Sequence, residues 1–367
     1  MKHNRLLTWC WVLILGSWGV SQAAEQATTP EKLLPGAKVV RLEARPAAIT
    51  LKTPFEYAQL LLTAQLDNGD RIDVTRLAKV DRPASLVSFS DHGLVRPLGN
   101  GQGELNCALE GQTVKIPVTV SGQKETYTVS FVRDVMPVMS KLGCNAGTCH
   151  GAAKGKNGFK LSLRGYDPLF DHQALTDDLD GRRFDRASPV HSLMLLKPSG
   201  GAPHTGGVLM HPGEPNYELL RAWIAEGVKL DLSSPRVARI EIFPKNPVLP
   251  LPGMKQQMAI LATYTDGSVR DVTAEAFIES SNTEVATADK QGLVTAVRRG
   301  EATMLARYEG NYTAAPLIVM GDRSKFVWHD VPAFNWIDTL VYEKLKAVKI
   351  QPGEVCTDAE FIRRVTL

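Results

Sequence analysis

The sequence has little cysteine, little net charge and few sustained apolar runs. Five cysteines in 367 residues are far too few for a disulfide scaffold. Lys and Arg number 42 against 39 Asp and Glu, a formal charge of +3. No basic block and no basic stripe interleaved with aromatics occurs, which argues against a nucleic-acid partner. After residue 24 no stretch is apolar enough for a bilayer span, which needs about 20 residues. No Ser-His-Asp order, phosphate loop, zinc-protease motif or paired-carboxylate site is present in a convincing context. Enzymatic activity is therefore left open, with no catalytic constellation visible and no substrate indicated.

What is present begins at the N-terminus. Lys2, His3 and Arg5 precede an apolar run from Leu6 to Val20, and Ser21, Ala23 and Ala24 close it. This is the three-part layout of a secretory signal peptide over 1–24, cleaved after Ala23 or Ala24, with an uncleaved N-terminal anchor as the other reading, so export to the periplasm or cell surface is expected. Cys10 would leave with it, and Cys107, Cys144, Cys149 and Cys356 would remain.

An internal repeat follows. Leu66-Asp67-Asn68-Gly69-Asp70-Arg71-Ile72-Asp73-Val74-Thr75 matches Tyr264-Thr265-Asp266-Gly267-Ser268-Val269-Arg270-Asp271-Val272-Thr273. In each copy a second turn comes later, Asp91-His92-Gly93-Leu94-Val95 and Asp289-Lys290-Gln291-Gly292-Leu293-Val294, and then a glycine before another strand. Asn-Gly and Asp-Gly suit tight hairpin turns, and short alternating segments at this spacing predict β-sandwiches. The copies are placed at 38–122 and 236–321, roughly 85 residues each, the size of one small domain. The aspartates read as turn residues in preference to calcium ligands, and Cys107 as a buried apolar side chain.

Between the copies, 127–232 has a different character. Val135, Val138, Met139 and Leu142 fall on one helical face, and Gly143 can close that helix. Then comes Cys144-Asn145-Ala146-Gly147-Thr148-Cys149-His150-Gly151. Covalent haem attachment uses Cys-Xaa-Xaa-Cys-His, two thiols beside a ligating imidazole; here the spacer has four small residues. The expectation is one covalent haem c, held by Cys144 and Cys149 as thioethers with His150 as proximal iron ligand. The Gly/Pro-rich loop 197–211 would supply the distal ligand: His204 first, Met210 second, His211 third. Two other readings stand beside it, a structural Cys144–Cys149 disulfide, or zinc held by Cys144, Cys149, His150 and a loop histidine. A helix from Pro215 with Leu219, Leu220, Trp223 and Ile224 as its buried stripe is expected to stop at Gly227. His172 and His191 read as surface residues. Lys197, Arg164, Arg182 and Arg183 read as solvated, with haem propionates as the other possible partner. Near the end, Thr357 with Glu360 fits a capping box.

The repeats resemble the bacterial immunoglobulin-like domains of surface proteins, the second copy more closely. The middle segment, on Cys144 to Gly151, Gly158-Phe159-Lys160-Leu161-Ser162-Leu163, Gly165-Tyr166-Asp167 and Tyr217 through Gly227, resembles the cytochrome c-like module of planctomycete-type surface proteins. That resemblance implies two immunoglobulin-like β-sandwiches flanking a small, mainly α cytochrome c-like domain. It also implies that 326–367 opens a helical domain cut short. It implies an exported haem protein carrying single electrons to an unknown redox partner, with cell-surface or polysaccharide contact through the immunoglobulin-like domains. The alternatives are a surface structural or adhesion protein with a disulfide and no haem, or the haem-bearing part of a larger redox enzyme.

Overall fold

Alternation of apolar and polar residues sets the strands of the first copy. In the computed structural model, which describes residues 31–179, 181–323 and 325–367, these are β1 (Val39–Arg45), β2 (Ile49–Leu51), β3 (Ala58–Gln59), β4 (Leu61–Leu66), β5 (Arg71–Asp73), β6 (Lys79–Asp81), β7 (Val87–Phe89), β8 (Leu94–Pro97), β9 (Gly101–Leu109) and β10 (Gln112–Val120). The leader expected at 1–24 lies outside the described residues. The strands form sheets in the orders β1-β4-β5, β2-β10-β9-β6 and β3-β8-β7. Leu105, Cys107, Ile116, Val118 and Val120 point into one core with Leu42, Leu62 and Ala64, as period-two patterning requires. Cys107 is fully buried there, which pushes its thiol up to about 11. Gly93 (φ 83°) has no room for a side chain: a Cβ would lie 2.5 Å from the Leu60 carbonyl oxygen.

The middle segment is built from short pieces. A π-helical turn, Phe131–Val135, runs into α1 (Met136–Lys141); α2 (Pro168–Thr176), α3 (Leu193–Leu196) and α4 (Pro215–Ala225) follow, with two 3-10 turns at Leu163–Gly165 and Pro189–His191. Trp223 is fully buried at the centre, stacked on Phe131 at 5.1 Å and met edge-on by Phe184 at 5.5 Å.

The second copy repeats the first strand for strand: β11 (Val237–Phe243), β12 (Val248–Leu249), β13 (Lys255–Gln257), β14 (Ala259–Tyr264), β15 (Val269–Asp271), β16 (Phe277–Ser280), β17 (Ala286–Ala288), β18 (Leu293–Ala296), β19 (Gly300–Tyr308) and β20 (Asn311–Val319). Its sheet orders, β11-β14-β15, β12-β20-β19-β16 and β13-β18-β17, are those of the first copy. Both copies place a cis peptide at the end of their first strand, Arg45-Pro46 and Phe243-Pro244. Two capped helices close the described chain, α5 (Trp336–Ala347) with an Asn335/Asp338 box and α6 (Asp358–Val365) with a Thr357/Glu360 box. Among the described residues no helix is long and apolar enough to cross a membrane.

The expected fold class is corrected here. The described chain is dominated by β-sheet, and the segment between the copies is not a separate, mainly α cytochrome-like domain. Its longest helix is the 11-residue α4, and turns and loops join its pieces. It is also tied into its neighbour: Arg270 donates to Asp134 Oδ1 at 2.9 Å, and Lys141 Nζ donates to the carbonyls of Ala276 and Lys290 at 2.6 and 2.7 Å. Buried Asp134 also accepts from the Tyr127 hydroxyl at 2.7 Å. Removing one partner from such a network strands a buried charge.

Candidate functional site

The loop after α1 folds on itself. Cys144 N–H donates to the Met139 carbonyl at 2.9 Å, Cys149 N–H to Ala146 at 2.9 Å, and His150 N–H to Cys144 at 3.0 Å. Buried Asn145 anchors it, its amide donating to Ser140 Oγ at 2.8 Å while its carbonyl accepts from Arg164 N–H at 3.0 Å. Gly151 is required: a Cβ there would lie 2.1 Å from the Asn145 carbonyl oxygen.

The side chains expected to form a haem site are only partly brought together. Burial, then the neighbouring Cys149, pushes the Cys144 thiol up to about 12, so it carries no thiolate near neutral pH. His150 packs on Phe159 with ring centroids 4.5 Å apart, and its Nδ1 lies 3.1 Å from the Phe159 carbonyl. Burial lowers its pKa first of all, and the charges of His204, Arg183 and Lys197 lower it further. His204 is thus near His150, with its own Nδ1 3.1 Å from the Gly207 carbonyl. Met210 is turned inward instead, 1% exposed and part of the core around Trp223. His211 is exposed. Arg183, read as solvated, is buried against the Phe159 ring at 4.1 Å. His172, read as a surface residue, is half-buried, its Nε2 2.7 Å from the Val228 carbonyl and its ring edge-on to Phe131.

A second constellation joins the two sandwiches, and sequence reasoning missed it. Asp73 Oδ1 accepts from Thr75 N–H at 2.8 Å and Thr75 Oγ1–H at 2.6 Å; Asp271 Oδ1 accepts from Thr273 in the same way, at 3.0 and 2.6 Å. Each threonine hydroxyl accepts from the strand beside it, from Leu62 N–H at 2.9 Å and Ile260 N–H at 2.8 Å. The second oxygen of each aspartate crosses to the other copy: Asp271 Oδ2 accepts from Gln59 N–H at 2.6 Å, and Asp73 Oδ2 from Gln257 N–H at 2.5 Å. The contact is reciprocal, with the same position bonding the same position in both directions, as across a two-fold axis. Around it, the Arg45 guanidinium lies 3.6 Å from the Phe243 ring centroid, Tyr57 donates to Glu275 and accepts from Ala274 N–H at 2.9 Å, and Met254 packs on both cores. The repeated Asp-Val-Thr was legible, but only its turn role.

Residues 236–306 match the family model for the bacterial Ig-like domain (group 2). That segment, the bulk of the second sandwich, is immunoglobulin-like. No curated protein matches the chain. Solved structures that resemble it include S-layer protein SbsC domains 5-6, at 10% identity and TM-score 0.29, covering 77% of this chain and 99% of that one. SbsC domains 4 and 5 match at 19% identity and TM-score 0.21, covering 23% of this chain and 53% of that one, about half its length. The protocadherin GammaB4 extracellular domain matches at 11% identity and TM-score 0.17, covering 77% of this chain and 34% of that one. Scores this low leave the fold to the strands and to the family match.

These findings overturn the haem reading. The family match is to an Ig-like domain, and among the described residues no group of three or more His, Cys, Asp or Glu is placed to hold a metal ion. Of the expected ligands, His150 turns its Nδ1 to the Phe159 carbonyl and packs beside the Phe159 ring, and Met210 is sealed in an aromatic core. The cytochrome, one-electron-transfer and iron assignments are corrected accordingly, and the redox partner goes with them.

Proposed function

We propose that the chain is an exported surface protein whose paired immunoglobulin-like sandwiches act as a structural or adhesive module. The reciprocal Asp73–Gln257 and Asp271–Gln59 contact carries this reading, because it turns two small domains into one braced unit. Tandem domains joined only by a linker move independently by default; a braced pair holds its ends at a fixed separation, which suits a spacer or a presented binding face. The family match at 236–306 and the leader pattern at 1–24 support a position outside the cytoplasm. Loss of two electrons and two protons to a thiol oxidase of that compartment would join Cys144 and Cys149, which are free thiols in this structure, and staple the loop.

The test is external labelling of intact cells that carry the chain with an epitope after residue 367. Labelling by a membrane-impermeant reagent and loss of the epitope to added protease are expected. Protection in intact cells, with cleavage only after lysis, overturns the surface assignment.

A further inference from the structure

The outer face of the sheet β12-β20-β19-β16 carries a row of side chains that the first sandwich does not have. Strand register aligns Phe277, Arg307 and Tyr312 across β16, β19 and β20, and aligns Glu279, Leu305 and Ala314 in the adjacent row. The corresponding row of the first sandwich is Lys79, Ala108 and Thr113, without an arginine or an aromatic ring. The row is therefore not demanded by the fold.

Arg164 reaches this face from the middle segment, and together these residues line an open cleft of about 410 Å³. Arg164 is held at φ 59°, a left-handed conformation unusual for a side-chain-bearing residue, by its N–H bond to the Asn145 carbonyl. Strain of this kind persists where the surroundings fix it, and it clusters at binding sites. The Arg307 guanidinium lies 4.1 Å from the Phe277 ring centroid. Neither Arg164 nor Arg307 has an ion pair or a side-chain hydrogen bond with any described residue. Burial lowers the Arg307 pKa first, the charge of Arg164 lowers it further, and Tyr312 and Glu279 act in the opposite direction. Two guanidiniums thus line one cleft with Glu279, neither ion-paired to a described residue, beside a Tyr312 ring that is 68% exposed.

We propose that this cleft binds a carboxylate-bearing sugar unit of an acidic polysaccharide. Planar guanidinium forks match a carboxylate with paired hydrogen bonds. The exposed face of Tyr312 offers a flat apolar surface for sugar C–H groups, and Glu279 accepts from ring hydroxyls. Glu279 also disfavours a densely charged polyanion, which separates this site from a general cationic patch. The inference rests on the surface role proposed above and names the ligand class of that role.

The test uses the full exported chain in affinity electrophoresis against polygalacturonate, its fully methyl-esterified form, and dextran sulfate. Retardation by polygalacturonate is expected, with binding to the ester at least tenfold weaker. Arg307→Gln and Arg164→Gln should each lose roughly tenfold in affinity, the scale of a hydrogen bond to a charged group. Arg164→Gly relieves the positive φ, so it should fold at least as well and still lose binding. Lys79→Gln, on the matching row of the first sandwich, should bind as the parent does. Equal binding of acid and ester, stronger binding of dextran sulfate, or full binding by both arginine variants each overturns the proposal. Absence of binding in a chain that labels at the cell surface sinks the cleft and leaves the surface role standing; binding by a chain that does not reach the surface does the reverse.

Discussion

The two sandwiches share one strand order and one Asp-Val-Thr bracket, yet they meet each other with unequal charge. Asp73, 1% exposed at its side chain, has Arg76 at 3.0 Å. The residue matching Arg76 in the second copy is Ala274, whose N–H is taken by Tyr57. Among the described residues Asp271 has no such cation, and burial raises its pKa to about 6, against the lowering effect of bonds from Thr273 and Gln59. The same backbone geometry therefore bears two different electrostatic loads. Symmetric hydrogen bonding sets how the copies dock, and the asymmetric neighbours set what each half of the contact is worth.

The largest test of that difference is Asp73→Ala against Asp271→Ala, read as urea midpoints. Asp73→Ala removes an ion-pair acceptor from Arg76 as well as the acceptor of Gln257 N–H, and should cost about 2–4 kcal/mol. Asp271→Ala leaves neutral donors unpaired and should cost about 1–3 kcal/mol. Equal losses would mean that the reciprocal hydrogen bonds alone matter.

Next in size is a dependence on pH. Because the folded-state pKa of Asp271 lies above its ordinary value of 3.8, its stabilising contribution is complete below that value and is lost as pH rises through about 6. The swing is at most about 3 kcal/mol. It should appear as a difference in pH dependence between the parent and Asp271→Asn over that window, measured by chemical denaturation. Parallel curves would remove the electrostatic half of the comparison.

The third prediction sets the sandwiches against the segment between them. The exported, oxidised chain should lose about 2 kcal/mol on Cys149→Ser, the chain-entropy value for so short a loop. Cys107→Ser tests the sandwich core instead, and its cost should not depend on reductant. If dithiothreitol leaves the stability of the parent unchanged, the staple is absent. The smallest effect is expected from Arg45→Ala, about 0.5–1 kcal/mol for the contact with the Phe243 ring, seen as a small shift in the thermal midpoint.

The strands, the hairpin turns and the helix ends were legible because their causes are local. Gly69 and Gly267 mark their turns, α4 runs between Pro215 and Ala225 ahead of Gly227, and Thr357 and Glu360 form the box their spacing implies. The Cys144–His150 run misled because a motif states only which side chains are near in sequence. In the fold, His150 sets its Nδ1 against the Phe159 carbonyl and packs beside the Phe159 ring. Met210 looked like a loop residue available to iron, but it faces inward because the Trp223 core requires an apolar side chain there.

By itself, then, the sequence determined the repeat, the alternation that makes each copy a sandwich, the turn role of its aspartates and the burial of Cys107. Only the tertiary structure decided that Asp73 and Asp271 each spend one oxygen on the opposite copy, and that Arg164 and Arg307, 143 positions apart in the chain, line one cleft. Periodicity and turn chemistry act over a few residues and leave a trace in the sequence. A contact between surfaces depends on how completed domains dock, and no local pattern records that.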